Sequence, residues 1–398
     1  MQTRTVLLLT LICNSLLFAA GARRFHEGNS LTGPMLNSPP RMLHSMAADA
    51  GFVDDFQDSG TYAGIPIDLA WRDHSAAYIQ ALSNGAPFDY VVIQPFRHMI
   101  ANRATWFTKE VIGAESLCKA ALQFNPDTTI MVYYTWVTWN TNDPYSVWRE
   151  WMQDCITNYF EYFTDVLQQA LPGTPIFTIP TTAALVTLGD KIEHGDVPGI
   201  GNISNLYYDL SSGSQVHLDA NGYYLSALLH VPSYYGVNPV GFSTNYEIYA
   251  HFAAPNQQRP VTLNAVQATN FQQVAWHILT NFPRTTIAQL PRHKANTNRP
   301  SAPGSVMLSA ISNGTATVSW SAATDDVAVT YYSVSLDGNW RATVYGLSYE
   351  LDGLTNPPHT VSVRAWDAEY NFSETRAFVP EPAISLATAI VLRLLTRQ

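Results

Sequence analysis

The strongest constraint on the fold is an alternation, sustained over residues 23–290, of short β-rich runs with longer segments of helical spacing. The runs at 89–94 (DYVVIQ), 129–135 (TIMVYYT) and 175–179 (PIFTI) are too short for typical helices and carry residues suited to a pleated surface. Helices are predicted at 41–50, 109–124 and 145–170. The last carries Trp148, Trp151, Cys155, Phe160, Phe163, Val166 and Leu167 at roughly helical spacing, and Pro172 and Gly173 stop it. Strand and helix in turn imply parallel strands joined by crossovers, with helices on both faces of the sheet. The expected class is α/β.

Beyond this region the pattern changes. Residues 291–303 (PRHKANTNRPSAP) are polar and proline-containing, with no apolar period, and read as a linker. Residues 304–378 alternate apolar and polar positions in TATVSW, YYSVSL and HTVSVRAW, broken by the turn signals Asp337-Gly338 and Asp352-Gly353. A small antiparallel β sandwich is expected there. At the N-terminus, Arg4, an apolar stretch over 6–18 and Ala20-Gly21-Ala22 make up a signal peptide at 1–22, with the mature chain starting at Arg23. The apolar stretch is short of the roughly 20 residues that span a bilayer. Cys13 leaves with the leader, and Cys118 and Cys155 could pair in an oxidising compartment; spacing alone does not establish the bond.

With 46% hydrophobic and 13% charged residues, the 398-residue chain can bury a large core and is not a disordered protein. Its net charge of −10 is scattered, which argues against nucleic acid as a partner. Neither zinc-spaced Cys/His pairs, a phosphate-cradling loop nor a dinucleotide fingerprint is found, so no cofactor and no metal is implied.

Two blocks point to chemistry. Gly28-Asn29-Ser30-Leu31-Thr32-Gly33 resembles the first block of the SGNH (GDSL-like) hydrolases, where the serine is the nucleophile. Gln215-Val216-His217-Leu218-Asp219-Ala220-Asn221-Gly222-Tyr223-Tyr224-Leu225 resembles the last block, where a histidine precedes a helix rich in small and aromatic residues. The resemblance implies an SGNH-like three-layer αβα sandwich with a parallel sheet, in which Ser30 attacks a carboxylic ester and His217 is the base. Neutral imidazole suits both taking the serine proton and returning it to the leaving alcohol.

The departures matter as much. An aspartate commonly stands three residues before the family's histidine; here that position is Ser214. Either Ser214 or a backbone carbonyl orients the imidazole, or another carboxylate such as Asp209 approaches it. The family's Gly-x-Asn-Asp block is absent, its place taken by Pro95-Phe96-Arg97-His98, which leaves Gly64, Gln94 and His98 as the oxyanion-hole candidates. Before Gly28 the chain reads Arg23-Arg24-Phe25-His26-Glu27 rather than an apolar run, so a poorly anchored sheet edge is expected there. Trp136 and Trp139 offer a platform for a sugar ring or simply core packing.

Residues 304–378 resemble a fibronectin type III domain at Pro303, Trp320, Ala323 to Asp326 (ATDD) and Val363 to Asp367 (VRAWD). His359 stands where a corner tyrosine is usual, which weakens that corner's hydrogen bond. The final segment, 379–398, with Val379-Pro380-Glu381-Pro382, an apolar stretch, Arg393 and Arg397, resembles a PEP-CTERM sorting signal. That resemblance implies an exosortase-type sorting enzyme as partner, transient membrane association through the tail, and an exported protein of the cell envelope or exterior. The expected substrate is an ester, such as an acetyl group on polysaccharide. The alternatives are a non-catalytic envelope protein that keeps the hydrolase fold but binds glycan or protein, and an adhesin acting through its sandwich.

Overall fold

The computed structural model describes residues 19–36, 42–53, 55–62, 64–96, 103–208, 213–250, 257–289, 298–312, 314–354, 359–367 and 370–378. The apolar stretch of the predicted leader, His98, Asp209, most of the linker and the sorting tail lie outside the described residues.

The α/β region is built on five parallel strands: β1 (Arg23–Gly28), β2 (Phe56–Thr61), β3 (Tyr90–Ile93), β4 (Thr129–Tyr134) and β5 (Ile176–Pro180). Their order is β2-β1-β3-β4-β5. Helices α1 (Met42–Asp49), α6 (Thr181–Glu193), α7 (Ala220–Tyr235) and α8 (Ala265–Asn281) pack together on one face. The other face carries α2 (Ile67–Ser83), α3 (Arg103–Phe124) and α5 (Glu161–Ala170). Three layers result, and β3 and β4 are apolar along their length because both of their faces are covered. The helix read over 145–170 is instead α4 (Tyr145–Cys155) and α5 joined through a π turn, Ile156–Phe160, whose Tyr159 hydroxyl donates to the Glu110 carboxylate.

β1 is not the weak edge its charged residues suggest. It lies inside the sheet, paired with both β2 and β3. Phe25 fills the core, and the buried Arg24 guanidinium is ion-paired with Asp55, both side chains being fully shielded from solvent. Burial, with Arg24 and His230 nearby, pushes the pKa of His26 well down, so the ring sits in the interior uncharged. The edge belongs to β2, whose FQDSGT sequence is polar as an exposed edge tolerates.

Cys118 and Cys155 are both buried thiols and no disulfide joins them, so the pairing considered from sequence is not made. Burial raises the Cys118 pKa and keeps that thiol protonated. No helix among the described residues is long and apolar enough to cross a membrane.

The C-terminal region forms two antiparallel sheets. Strands β6 (Met307–Leu308), β7 (Ala316–Ser319) and β10 (Ser348–Leu351) form one, in the order β6-β7-β10. Strands β8 (Tyr331–Leu336), β9 (Asn339–Val344), β11 (Val361–Trp366) and β12 (Arg376–Phe378) form the other, in the order β9-β8-β11-β12. Val318, Trp320, Val334, Leu351, Val361 and Val363 fill the space between them. The Asp337-Gly338 signal becomes the β8–β9 hairpin turn, with both residues at positive φ (51° and 77°), which glycine adopts without strain. At the corner where tyrosine is usual, His359 is not idle: its Nδ1 lies 2.6 Å from Asp337 Oδ2.

The sandwich is docked on α3 rather than hung from it. Arg364 pairs with Glu115 through both nitrogens (2.5 and 2.8 Å), Tyr331 hydrogen-bonds Thr108 at 3.0 Å, and the Lys109 ammonium lies 3.9 Å from the Trp340 ring centre. Tyr331, Trp366 and Phe372 join the apolar core of the α/β region. Burial works to raise the Glu115 pKa, but Arg364 and Lys119 outweigh it and hold the carboxyl below its usual range.

Candidate functional site

In an open parallel sheet, ligands bind beyond the carboxyl ends of the strands, at the point where the connections change direction. Here that point lies between β1 and β3, because the chain leaves β1 for β2 on one side and returns to β3 on the other. Ser30 follows β1 by two residues and Gln94 follows β3 by one. Gly64 sits three residues past the end of β2, in a turn with φ of 67°, and its segment is held to β1 by a 3.1 Å hydrogen bond from the Tyr62 N–H to the Gly28 carbonyl. His98 lies outside the described residues.

The Ser30 turn is held by side chains beneath it. Gln94 Oε1 accepts from the Asn29 N–H (3.1 Å) and from the Thr32 hydroxyl (2.5 Å), while its amide nitrogen donates to Asn29 Oδ1 (2.9 Å). Asn29 Oδ1 also accepts the Leu31 N–H at 3.0 Å, and the Thr32 and Gly33 N–H groups bond the Asn29 carbonyl at 3.0 and 2.9 Å. Among the described residues, the amides of Asn29, Leu31, Thr32 and Gly33 all have partners, and that of Ser30 has none. Gln94, a candidate oxyanion donor by sequence, is fully buried and is spent on bracing this turn. Gly28 has to be glycine for the same reason: a Cβ there would come within 2.6 Å of Thr32 Oγ1 and 2.8 Å of Gln94 Oε1.

His217 is held over the same edge of the sheet from three sides. The Trp136 indole, just past β4, donates to the Val216 carbonyl at 2.5 Å, and Trp139 pairs with Gln215 in a two-residue antiparallel ladder. On the far side the Tyr208 N–H bonds the His217 carbonyl at 2.9 Å and the Asp219 N–H bonds the Leu206 carbonyl at 2.7 Å. Asp219 then stands at the start of α7, without a side-chain capping bond, and Tyr223, six residues after His217, donates its hydroxyl to the Ser30 carbonyl at 3.3 Å. The structure thus brings the segments bearing Ser30 and His217, far apart in sequence, to one sheet edge.

One expectation is corrected. Ser214 does not take up the orienting position: it is exposed, in the ladder opposite Asn140, and the atom facing His217 Nδ1 is Gln215 Oε1 at 3.0 Å. For Trp136 and Trp139 core packing is what is seen: both are buried, Trp136 against Tyr133 and Tyr223, Trp139 against Trp148 and Tyr207. Gln215 and Tyr223 stood in the histidine block, but sequence reasoning gave neither a role. Their only signal was nearness to the histidine in a stretch where the surrounding residues looked equally available. Among the described residues no group of three or more His, Cys, Asp or Glu converges as a metal site would.

No family model matches the chain. Among curated proteins, Chitinase 63 of Streptomyces plicatus is 46% identical over 69 residues, 17% of this chain and 11% of that protein. Chitinase A1 of Niallia circulans is 34% identical over 79 residues, 20% of this chain and 11% of that protein. The chain therefore matches about a tenth of the length of these relatives. Among solved structures, a candidate SGNH hydrolase from Slackia heliotrinireducens matches at 20% identity and a TM-score of 0.35, covering 53% of this chain and 97% of that one. A candidate GDSL-like lipase from Parabacteroides merdae matches at 14% identity and 0.32, covering 56% and 98%. The fibronectin(III)-like modules of Clostridium thermocellum CbhA match at 18% identity and 0.18, covering 21% and 45%. About half of the chain thus has SGNH or GDSL-like hydrolases as structural neighbours, and fibronectin type III modules are neighbours of a smaller part.

Proposed function

We propose that this protein is an exported serine esterase in which Ser30 is the nucleophile and His217 the general base. The hydroxyl oxygen of Ser30 attacks the ester carbonyl as its proton passes to the imidazole. The Ser30 N–H donates to the oxyanion, with Gly64 and His98 as the candidates for further donors. The proton then returns to the leaving alcohol, and water repeats the sequence on the acyl-serine. The observation that carries this reading is the Tyr223 hydroxyl on the Ser30 carbonyl, which ties the helix following His217 to the Ser30 turn at the sheet's switch point.

The substrate class we assign is an acetyl ester on extracellular polysaccharide. Support for a carbohydrate comes from the short stretches of identity with two chitinases and from the sandwich module beside the α/β domain. The same reading has the leader at 1–22 directing export and an exosortase-type enzyme acting on the tail at 379–398, with transient membrane association at the cell envelope.

The test is a fluorophosphonate that labels activated serines, followed by a panel of aryl acetates and acetylated sugars. Residues 23–379 should be labelled at Ser30 and should release acetate, and Ser30→Ala should do neither. A second reading, a glycan- or protein-binding protein without catalysis, is favoured by the absence of an aspartate at position 214. It predicts no labelling and equal turnover in the two proteins.

A further inference from the structure

We infer that Gln215 is the positioning residue for His217, a neutral amide doing the orienting work that serine hydrolases usually give to a carboxylate. Three groups converge on one atom: Gln215 Oε1 accepts the Val216 N–H at 2.9 Å and the His217 N–H at 2.9 Å, and it faces His217 Nδ1 at 3.0 Å. The two backbone donors decide which end of the carboxamide points at the ring, because an NH2 turned there would face N–H groups with N–H groups. The atom at Nδ1 is therefore an acceptor. A neutral imidazole facing an acceptor at Nδ1 carries its hydrogen there and keeps a lone pair at Nε2, the tautomer needed to receive the Ser30 proton.

The ladder with Trp139 and the Trp136 bond to Val216 hold Gln215 from below, so the amide is fixed before any substrate arrives. A carboxylate in that place would stabilise the imidazolium by charge, whereas an amide orients the ring without doing so. Among the described residues, the other titratable or charged groups in the segments around His217 include Tyr208, Asp219 and Arg259. Arg259 lies 3.4 Å from Asp219 and stacks on Tyr208.

This inference rests on the esterase reading, and the experiment separates the two. Rates of fluorophosphonate labelling and of aryl acetate turnover are measured against pH for the wild type, Gln215→Leu, Gln215→Glu and Asp209→Asn, each confirmed folded by circular dichroism. Gln215→Leu should lower kcat by roughly 10²-fold or more with little change in KM. Gln215→Glu, which keeps the three acceptor contacts, should retain kcat within about tenfold while moving the acid limb of the profile up by roughly one pH unit or more. If Gln215→Leu stays within about threefold of wild type and the Gln215→Glu profile superimposes on it, the amide does not position the ring. Loss of turnover in Asp209→Asn alone would assign that task to the carboxylate and overturn the inference. Absence of labelling in the wild type removes the esterase reading and this one with it, whereas labelling that is indifferent to residue 215 removes only this one.

Discussion

Replacing Gln94 with leucine should loosen the Ser30 turn and cost measurable stability. In the folded protein its oxygen satisfies the Asn29 N–H and the Thr32 hydroxyl, and its nitrogen satisfies Asn29 Oδ1, all in a buried setting. Leucine fills nearly the same space but strands two donors, each at about 1–3 kcal/mol when buried without a partner. Asn29 Oδ1 keeps the Leu31 N–H, so its loss is smaller. Extra apolar burial by leucine recovers part of the cost, leaving a net loss of about 2–4 kcal/mol. Denaturation in urea should show this as a lower midpoint at an unchanged slope. Reaction of Ser30 with a fluorophosphonate should slow by roughly 10²-fold, because the hydroxyl is no longer pre-positioned. Gln94→Glu is the control: it keeps an acceptor for both donors but sets a second oxygen against Asn29 Oδ1, so it should recover stability as the pH falls and the carboxyl protonates. A Gln94→Leu protein within about 0.5 kcal/mol of wild type would refute the bracing argument.

Three further outcomes are expected. Burial first, then Glu110 and Asp68, holds the Glu27 pKa well above its usual range, so the folded state binds the extra proton and wild-type stability falls as pH rises above about 4.5. Glu27→Gln should accordingly gain on wild type with increasing pH in denaturation curves at pH 5 and pH 8. Burial depresses His230 to about 4, so the unfolded chain takes up that proton first, and stability is lost between pH ~6.5 and ~4, on the order of 3 kcal/mol in total. His230→Gln should flatten that limb in the same assay. Arg364→Leu leaves Glu115, a buried carboxylate, with Lys119 alone. It should cost about 3 kcal/mol and split the calorimetric unfolding into separate transitions for the two domains.

How far the sequence could be read followed from what each element hides. Strands β3 and β4 were legible to within a residue or so because a central parallel strand is apolar on both faces, and β5, at the far edge, because its IFTI run is short and β-rich. β2 was not, since an edge strand written FQDSGT looks like a loop. β1 was misjudged as weak because the partner that neutralises Arg24 is Asp55, thirty-one residues on, and pairing at that distance leaves no trace in local pattern. The blocks around Ser30 and His217 were recognisable as motifs, but the roles of their neighbours were not. That Gln94 supports the Ser30 turn from below, and that the oxygen at His217 Nδ1 belongs to residue 215 rather than 214, depends on which face of a two-residue ladder each side chain occupies.

The docking of the sandwich on α3 has a consequence for how such a molecule would work on a polymer. A module on a loose tether lets its partner sweep many positions around each point of attachment. One clamped by Arg364, Tyr331 and Trp340 fixes the angle and the stand-off of the other domain instead. Under the proposed function, a surface held by the sandwich would meet the Ser30 edge in a single orientation, and reach would be gained by moving the whole molecule.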